Sequence, residues 1–199
     1  MNEVPACPAG ALGDLAKPLD FRIQALLADQ SVAPVEDGAA VPLLFPPQGG
    51  RVLFIGVRAT NVDGCALRLT GALRDPSSQQ VRFETRSINL IPTGDGWGQS
   101  GVVDATHGAA ISNFANVPVC PNQWASGNVY DQPYRLEVTV EDRQGARKLT
   151  KFAQVTPVCA EPANAAQCSC ICKAGYILGQ ACDQADATAT ATADGGDAN

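Results

Sequence analysis

The sequence predicts an all-β protein: an antiparallel, two-layer sandwich of about seven short strands, followed by a cysteine-rich C-terminal extension. Three observations carry this. Residues 134–141, Tyr-Arg-Leu-Glu-Val-Thr-Val-Glu, alternate strictly between apolar and polar, which is the period of a strand with one wet face. Turn signals separate the short alternating runs: Pro46-Pro47-Gln48-Gly49-Gly50, Asp63-Gly64, Asp75-Pro76-Ser77-Ser78 and Asp142-Arg143-Gln144-Gly145. No long helical period interrupts these runs, which argues against the strand–helix alternation of a parallel sheet.

Four regions follow from the pattern. Residues 1–34 form an N-terminal extension. Within it, the run from Asp20 to Ala28 fits a short helix capped by Asp20, with Ile23, Leu26 and Leu27 on one side, and fits a strand equally well. The sandwich is assigned to residues 35–159. Val41-Pro42-Leu43-Leu44-Phe45 is an apolar run with an internal proline, which suits an edge strand. The next run places Leu53, Ile55, Val57 and Ala59 on one face, and Asn61-Val62-Asp63-Gly64 suits a hairpin into the following strand. There Leu67, Leu69 and Leu73 face inward while Arg68, Thr70 and Arg74 face water.

Residues 80–86 alternate again and run on to Ile88 and Leu90; residues 92–110 form a long polar loop. A strand over 111–119 stops at Cys120-Pro121, and residues 121–132 make a second polar loop. Tyr134–Glu141 and Lys148–Val158 close the sheet as a hairpin. Residues 160–184 are a disulfide-rich tail. Residues 185–199 are low in complexity, with nothing apolar larger than alanine, and are expected to be disordered because they cannot bury enough surface to offset ordering entropy.

Composition narrows the function. Fourteen Lys and Arg stand against 20 Asp and Glu, for a net charge of −6. An acidic chain is a poor partner for nucleic acid, whose affinity rests on clustered cations. No apolar run approaches the roughly 20 residues of a membrane-spanning helix. The single histidine, His107, lies in Asp104-Ala105-Thr106-His107-Gly108. With no G-x-S-x-G elbow beside it, no catalytic residue is assigned and no enzymatic activity or cofactor is expected.

The eight cysteines are Cys7, Cys65, Cys120, Cys159, Cys168, Cys170, Cys172 and Cys182. An even count crowded toward one end points to disulfides and an oxidising compartment. In an extended chain the sulfurs of Cys168, Cys170 and Cys172 lie on one face, badly placed to bond each other. Each is therefore expected to pair outside the triplet. If Cys65 pairs with Cys120, closing that loop stabilises by about 4 kcal/mol. The triplet must then use Cys7, Cys159 and Cys182. The alternative is a thiolate metal site, against which stand the missing C-x-x-C pair and the missing local histidine. The N-terminus lacks the charged and apolar regions of a signal peptide, so an export signal is presumed absent from the chain as given. Val4-Pro5-Ala6-Cys7 weakly matches a lipoprotein cysteine, which raises a lipid anchor as a possibility for the full-length protein.

Two ligand classes have candidate residues. Asp63, Asp95, Asp104, Asp131, Glu141 and Asp142 fall in turns and would serve calcium if they converged, although turn aspartates commonly bond their own backbone. Trp97, in Gly94-Asp95-Gly96-Trp97-Gly98, and Trp124 and Tyr130 in the second loop would form a carbohydrate platform if both loops met at one end of the sandwich. Tryptophans in such folds also serve as core plugs.

The stretch from Tyr134 through Asp142-Arg143-Gln144-Gly145 resembles the last hairpin of bacterial immunoglobulin-like, polycystic-kidney-disease and cadherin-like modules. The segment from Val41 to Gly50 with its following strand resembles exported proteins and lipoproteins of myxobacteria-like organisms. Together these cover residues 35–158. The resemblance implies an immunoglobulin-like, extracytoplasmic sandwich and no particular reaction. The expectation is a non-catalytic structural or adhesive module of the bacterial cell envelope, secreted or surface-held. It would meet a protein or glycan partner through its loops or by β-addition at an edge. Ligand binding and thiolate metal binding are the alternatives.

Overall fold

The computed structural model describes residues 9–101 and 113–182. Cys7, Asp104, His107, the lipoprotein-like motif and the expected disorder of 185–199 lie outside the described residues.

The strands run in the order β1 (Ala11–Leu12), β2 (Asp20–Leu26), β3 (Val32–Pro34), β4 (Ala39–Pro42), β5 (Arg51–Thr60), β6 (Val62–Asp63), β7 (Leu67–Arg74), β8 (Val81–Ile88), β9 (Ile91–Pro92), β10 (Trp97–Gln99), β11 (Ala115–Cys120), β12 (Tyr134–Glu141) and β13 (Lys148–Val158). A short 3-10 turn (Pro162–Asn164) leads into one helix, α1 (Ala165–Cys172). One sheet has the order β3-β2-β5-β10-β9, with β11 also paired to β5. The other has the order β4-β13-β12-β7-β8. All pairings are antiparallel except β4 with β13. The sandwich expected from the alternating runs is therefore the observed architecture.

The core forms where the two inner faces meet. Leu53, Ile55 and Val57 from β5 oppose Leu67, Leu69 and Leu73 from β7 and Leu136, Val138 and Val140 from β12, all fully buried. Strand β5 is buried on both sides. Its other face carries Val52 and Phe54, which join Leu26, Leu44 and Phe114 in a second, smaller cluster. Gly56 is required here. A Cβ on it would lie 2.6 Å from the Ser100 side chain and 2.8 Å from the Phe114 ring.

β10 and β11 occupy the same edge of β5, at opposite ends of it. Between them the Ser100 N–H donates to the Val57 carbonyl (2.7 Å) and the Val57 N–H donates to the Ser100 hydroxyl (3.0 Å). The described part of the predicted long loop, residues 92–101, thus holds β10 and the end of β9.

Three points stand differently from the sequence pattern. Of the helix and the strand that fit the segment from Asp20 equally, the strand forms, paired with β5 from Asp20↔Thr60 to Ala25↔Ile55. Phe21, Ile23 and Ala25 lie in the core, so the sheet begins before residue 35. The turn at 61–64 is not a hairpin, because β5 and β7 lie in different sheets. Each carries an all-aliphatic inner row that buries against the other across the core; side by side, both rows would face the same way. Asn61, at φ +59°, turns the chain, and β6 pairs back onto β1. Third, Cys65 does not bond Cys120. Cys120 is paired with Arg51 at one end of β5, whereas Cys65 follows the β6 segment beyond its other end. Ten strand residues separate those ends by roughly 30 Å.

The observed bonds are Cys120–Cys172, Cys159–Cys168 and Cys170–Cys182. Cys65 is also disulfide-bonded, and no described cysteine is free. The triplet is helical rather than extended, yet each member still bonds outside it. Cys168, Ile171, Cys172 and Tyr176 enter the main core, so the tail caps one end of the sandwich. Arg51, the first residue of β5, reaches into this cap with no exposed surface. It donates to Glu161 (2.5 Å), to Gln167 Oε1 (2.6 Å) and to the Asn164 carbonyl (3.2 Å). Asn122 is the second clasp. Its N–H donates to the Ile171 carbonyl (2.8 Å) and its amide to Lys173 O (3.2 Å).

Asp75 pins the β7–β8 turn to the loop carrying Trp124. Its carboxylate accepts from the Ser78 hydroxyl (2.6 Å) and from both N–H and hydroxyl of Ser126 (2.8 Å each). Burial pushes this carboxyl up, but the Ser78 and Ser126 bonds outweigh it, and the group sits far below the usual carboxylate range.

Replacing Arg51 by Met is expected to destabilise the protein by about 3 kcal/mol in urea unfolding, because Glu161 loses its buried partner. Asp75→Asn is expected to cost about 2 kcal/mol at neutral pH. Because its folded pKa is depressed, Asp75 stabilises fully above the unfolded carboxylate value of about 3.9 and loses that contribution as pH falls toward the folded value. The gap in thermal midpoint between wild type and D75N should therefore narrow as pH is lowered from about 4 to about 2.

Candidate functional site

The residues expected to form a platform are placed apart. Trp124 is 5% exposed. Its indole N–H donates to the Val119 carbonyl (2.9 Å), and its ring lies 5.8 Å from that of Tyr134. It is a core plug beneath the cap. Tyr130 is partly buried and packs against the same core. Trp97 pairs with Thr60 at the far end of β5, so no single face holds both tryptophans. The half-exposed Trp97 ring has Arg22 and Arg58 guanidinium carbons 5.5 and 5.3 Å from its centroid, and Arg58 is ion-paired with Asp95.

The turn carboxylates are engaged locally. Asp63 accepts from the Cys65 N–H (3.1 Å) and Asp142 from the Ala146 N–H (2.8 Å). Asp95 accepts from the Thr93 hydroxyl (2.6 Å) and the Trp97 N–H (3.2 Å). Glu141 faces Lys148 and Arg68 at 3.5 and 3.9 Å. Asp131 holds a left-handed turn at φ +56°. Among the described residues, no three His, Cys, Asp or Glu converge on a metal-sized spot. The described cysteine sulfurs are bonded to sulfur and carry no thiolate.

The outer face of the second sheet carries an aromatic row that no local sequence pattern marks. Register places Phe83, Ala72, Glu137 and Phe152 in one row across β8, β7, β12 and β13. Phe83 is 63% exposed and Phe152 51% exposed. The guanidinium of Arg135 stacks 4.1 Å from the Phe152 centroid. The neighbouring row is Thr85, Thr70, Thr139 and Thr150, whose hydroxyls pair across strands at 2.8 Å. Beside Phe152 a cleft of about 310 Å³ is lined by Asp37, Pro76, Pro133 and Arg135. Strict alternation marked Phe83 as one of a set, but not which set faces in. Here the inner side of β8 carries Arg82, Glu84 and Arg86, all partly buried. Glu84 accepts the N–H of Asn116 on β11 (2.7 Å) and pairs with Arg86 (2.8 Å).

These inward charges blunt the longest edge against strand addition. The short strands β3, β9 and β4 end in Pro34, Pro92 and Pro42, which also suits protected edges. The exposed aromatic surface is thus a sheet face, mixed aromatic and polar, and built on hydrogen-bonded strands rather than loops.

Comparison of the chain with known protein families, curated proteins and solved structures finds no match.

Thermal unfolding should separate the two kinds of aromatic. A Phe83→Ser, Phe152→Ser double variant is expected to lie within about 0.5 kcal/mol per site of wild type, whereas Trp124→Ala should lose about 3–5 kcal/mol.

Proposed function

We propose that this chain is a non-catalytic, extracytoplasmic structural or adhesive module of the bacterial cell envelope, and that it meets its partner through the outer face of the β4-β13-β12-β7-β8 sheet. The observation that carries this reading is the row of Phe83 and Phe152, exposed on a face built of hydrogen-bonded strands. Aromatic anchors flanked by arginine are the side chains that dominate protein interfaces. The disulfides favour an oxidising compartment. No described helix is long and apolar enough to cross a membrane. An immunoglobulin-like assignment is supported by the parallel β4–β13 pairing and by Tyr134, whose hydroxyl donates to the Asn128 carbonyl (2.7 Å) at the start of β12. That bond has the form of a tyrosine corner.

Glycan binding is the second reading, favoured by Trp97 beside the exposed Arg22. An acidic sugar would suit that pair, with its ring against the indole and its carboxylate toward the guanidinium.

Flow cytometry of N-terminally labelled protein on intact cells of the producing organism tests the first reading. Wild type should bind saturably, and the Phe83→Ser, Phe152→Ser variant should bind at least about tenfold more weakly. Equal binding by the two proteins, or none by either, contradicts it. Calorimetric titration with uronic-acid oligosaccharides, comparing wild type with Trp97→Ala, tests the second; heat that persists in the variant contradicts it.

A further inference from the structure

The outer face of the β4-β13-β12-β7-β8 sheet treats charge differently at its two ends. At the end away from the cap, register places Ser87, Arg68, Glu141 and Lys148 in one row. The signs alternate there, and Glu141 faces Lys148 at 3.5 Å and Arg68 at 3.9 Å. At the cap end the row is Val81, Arg74, Arg135 and Gln154. Arg74 and Arg135 stand directly opposite each other on β7 and β12, which puts their Cβ atoms about 5 Å apart. Like charges so placed repel. Neither arginine has an ion pair among the described residues.

Both guanidiniums are steadied by uncharged groups instead. Arg74 donates to the Gln79 carbonyl (3.1 Å). Arg135 is exposed and lies over the Phe152 ring, 4.1 Å from its centroid. Glu137, one row further in, pairs with neither. A guanidinium stacked on a ring keeps its N–H edge for a planar oxyanion. Beside this row is the cleft of about 310 Å³ against Phe152, with Pro76 and Pro133 among its walls. Its size is near the lower limit of small-molecule sites and suits an apolar side chain. Its lining carboxylate, Asp37, is engaged by the Gln154 N–H (2.6 Å).

We propose that the partner met through this face contributes an acidic polypeptide segment, a carboxylate bridging Arg74 and Arg135 and an adjoining apolar side chain entering the cleft against Phe152. This rests on the outer-face reading above and names the chemistry of the partner. A carboxylate between the two arginines relieves their repulsion and supplies the ion pair that the sheet itself withholds. A polypeptide carries carboxylates and apolar side chains on neighbouring residues, whereas a sulfated glycan supplies the anion alone. An anionic bilayer supplies both, but laid along the face it would also meet Glu137 and Glu141. The chain's net charge of −6 repels an acidic partner at long range, so the decisive comparison is between variants of equal net charge.

Labelled protein on intact cells of the producing organism, at about 0.05 M and about 0.5 M salt, tests it. An Arg74→Gln, Arg135→Gln variant should bind at least about tenfold more weakly than wild type at low salt, and the gap should shrink below about threefold at high salt. The salt dependence separates loss of charge from loss of the stack on Phe152. An Arg68→Gln, Lys148→Gln variant loses equal charge from the other end and should stay within about twofold of wild type at both salt levels. Treating the cells with proteinase K beforehand should abolish wild-type binding. Thermal midpoints check folding, and Arg135→Gln alone serves if the double variant is destabilised. Four results would each overturn this inference while leaving the outer-face reading in place: no loss in the Arg74, Arg135 variant, equal loss in both double variants, a gap indifferent to salt, or binding that survives the protease. Co-sedimentation of wild type with phosphatidylglycerol vesicles would overturn it in favour of a lipid surface. Wild type that does not bind the cells removes the reading and the inference together.

Discussion

Arg51 holds a guanidinium where water does not reach. Burial pulls its pKa down while the Glu161 carboxylate opposes the fall, and a guanidinium remains charged under such pressure. A buried charge is tolerable only when it is paired and hydrogen-bonded. Glu161, the Asn164 carbonyl and Gln167 all come from the chain after the last strand. The central strand thus begins with a charge that only the C-terminal segment can satisfy. The dependence runs both ways. Helix α1 has eight residues and no side-chain cap at its N-terminus, too short to stand alone in water. It persists because Arg51, Asn122 and the Cys120–Cys172 bond hold it on the sandwich. The cysteine-rich segment is part of the fold, not an appendage to it.

The opposite end is closed by another arginine. Arg147, beyond the β12–β13 turn, donates to the carbonyls of Lys17 (2.9 Å) and Asn61 (3.2 Å) and to that of Leu15. This fastens the N-terminal segment over the end where β5 crosses to the second sheet. With both ends covered and the described edges short or charged, the aromatic side chains Phe83 and Phe152 stay exposed on a face of hydrogen-bonded strands.

Legibility in the sequence followed how one-sided each element is. Tyr134–Glu141 could be read at once, because one face is core and the other solvent. The run after Asp20 was ambiguous because Gln24, Ala25 and Leu26 are all buried; burial on both faces erases alternation. Arg51 left no mark, since a charged residue opening a strand normally points to water. The pairing of Cys65 with Cys120 failed because residue counts say nothing about which end of a ten-residue strand a sulfur reaches. That each of Cys168, Cys170 and Cys172 bonds outside the triplet survived the wrong secondary structure, because sulfurs two apart are poorly placed in helix and strand alike. Trp97 and Trp124 were legible as loop aromatics but not as occupants of opposite ends, which only the register of β10 and β11 with β5 decides. The Phe83–Phe152 row needed the cross-strand register of β8, β7, β12 and β13, which no local pattern contains.

The dependence of cap and sandwich on each other is most directly tested by urea unfolding of a Trp97→Phe variant with disulfides intact, followed by two probes. Trp124 fluorescence then reports the cap alone, and far-ultraviolet circular dichroism reports the sheets. Coincident single transitions are predicted, with one midpoint and one slope. A fluorescence transition at clearly lower urea than the loss of β signal would mean that the tail melts from an independently stable sandwich, contrary to the account.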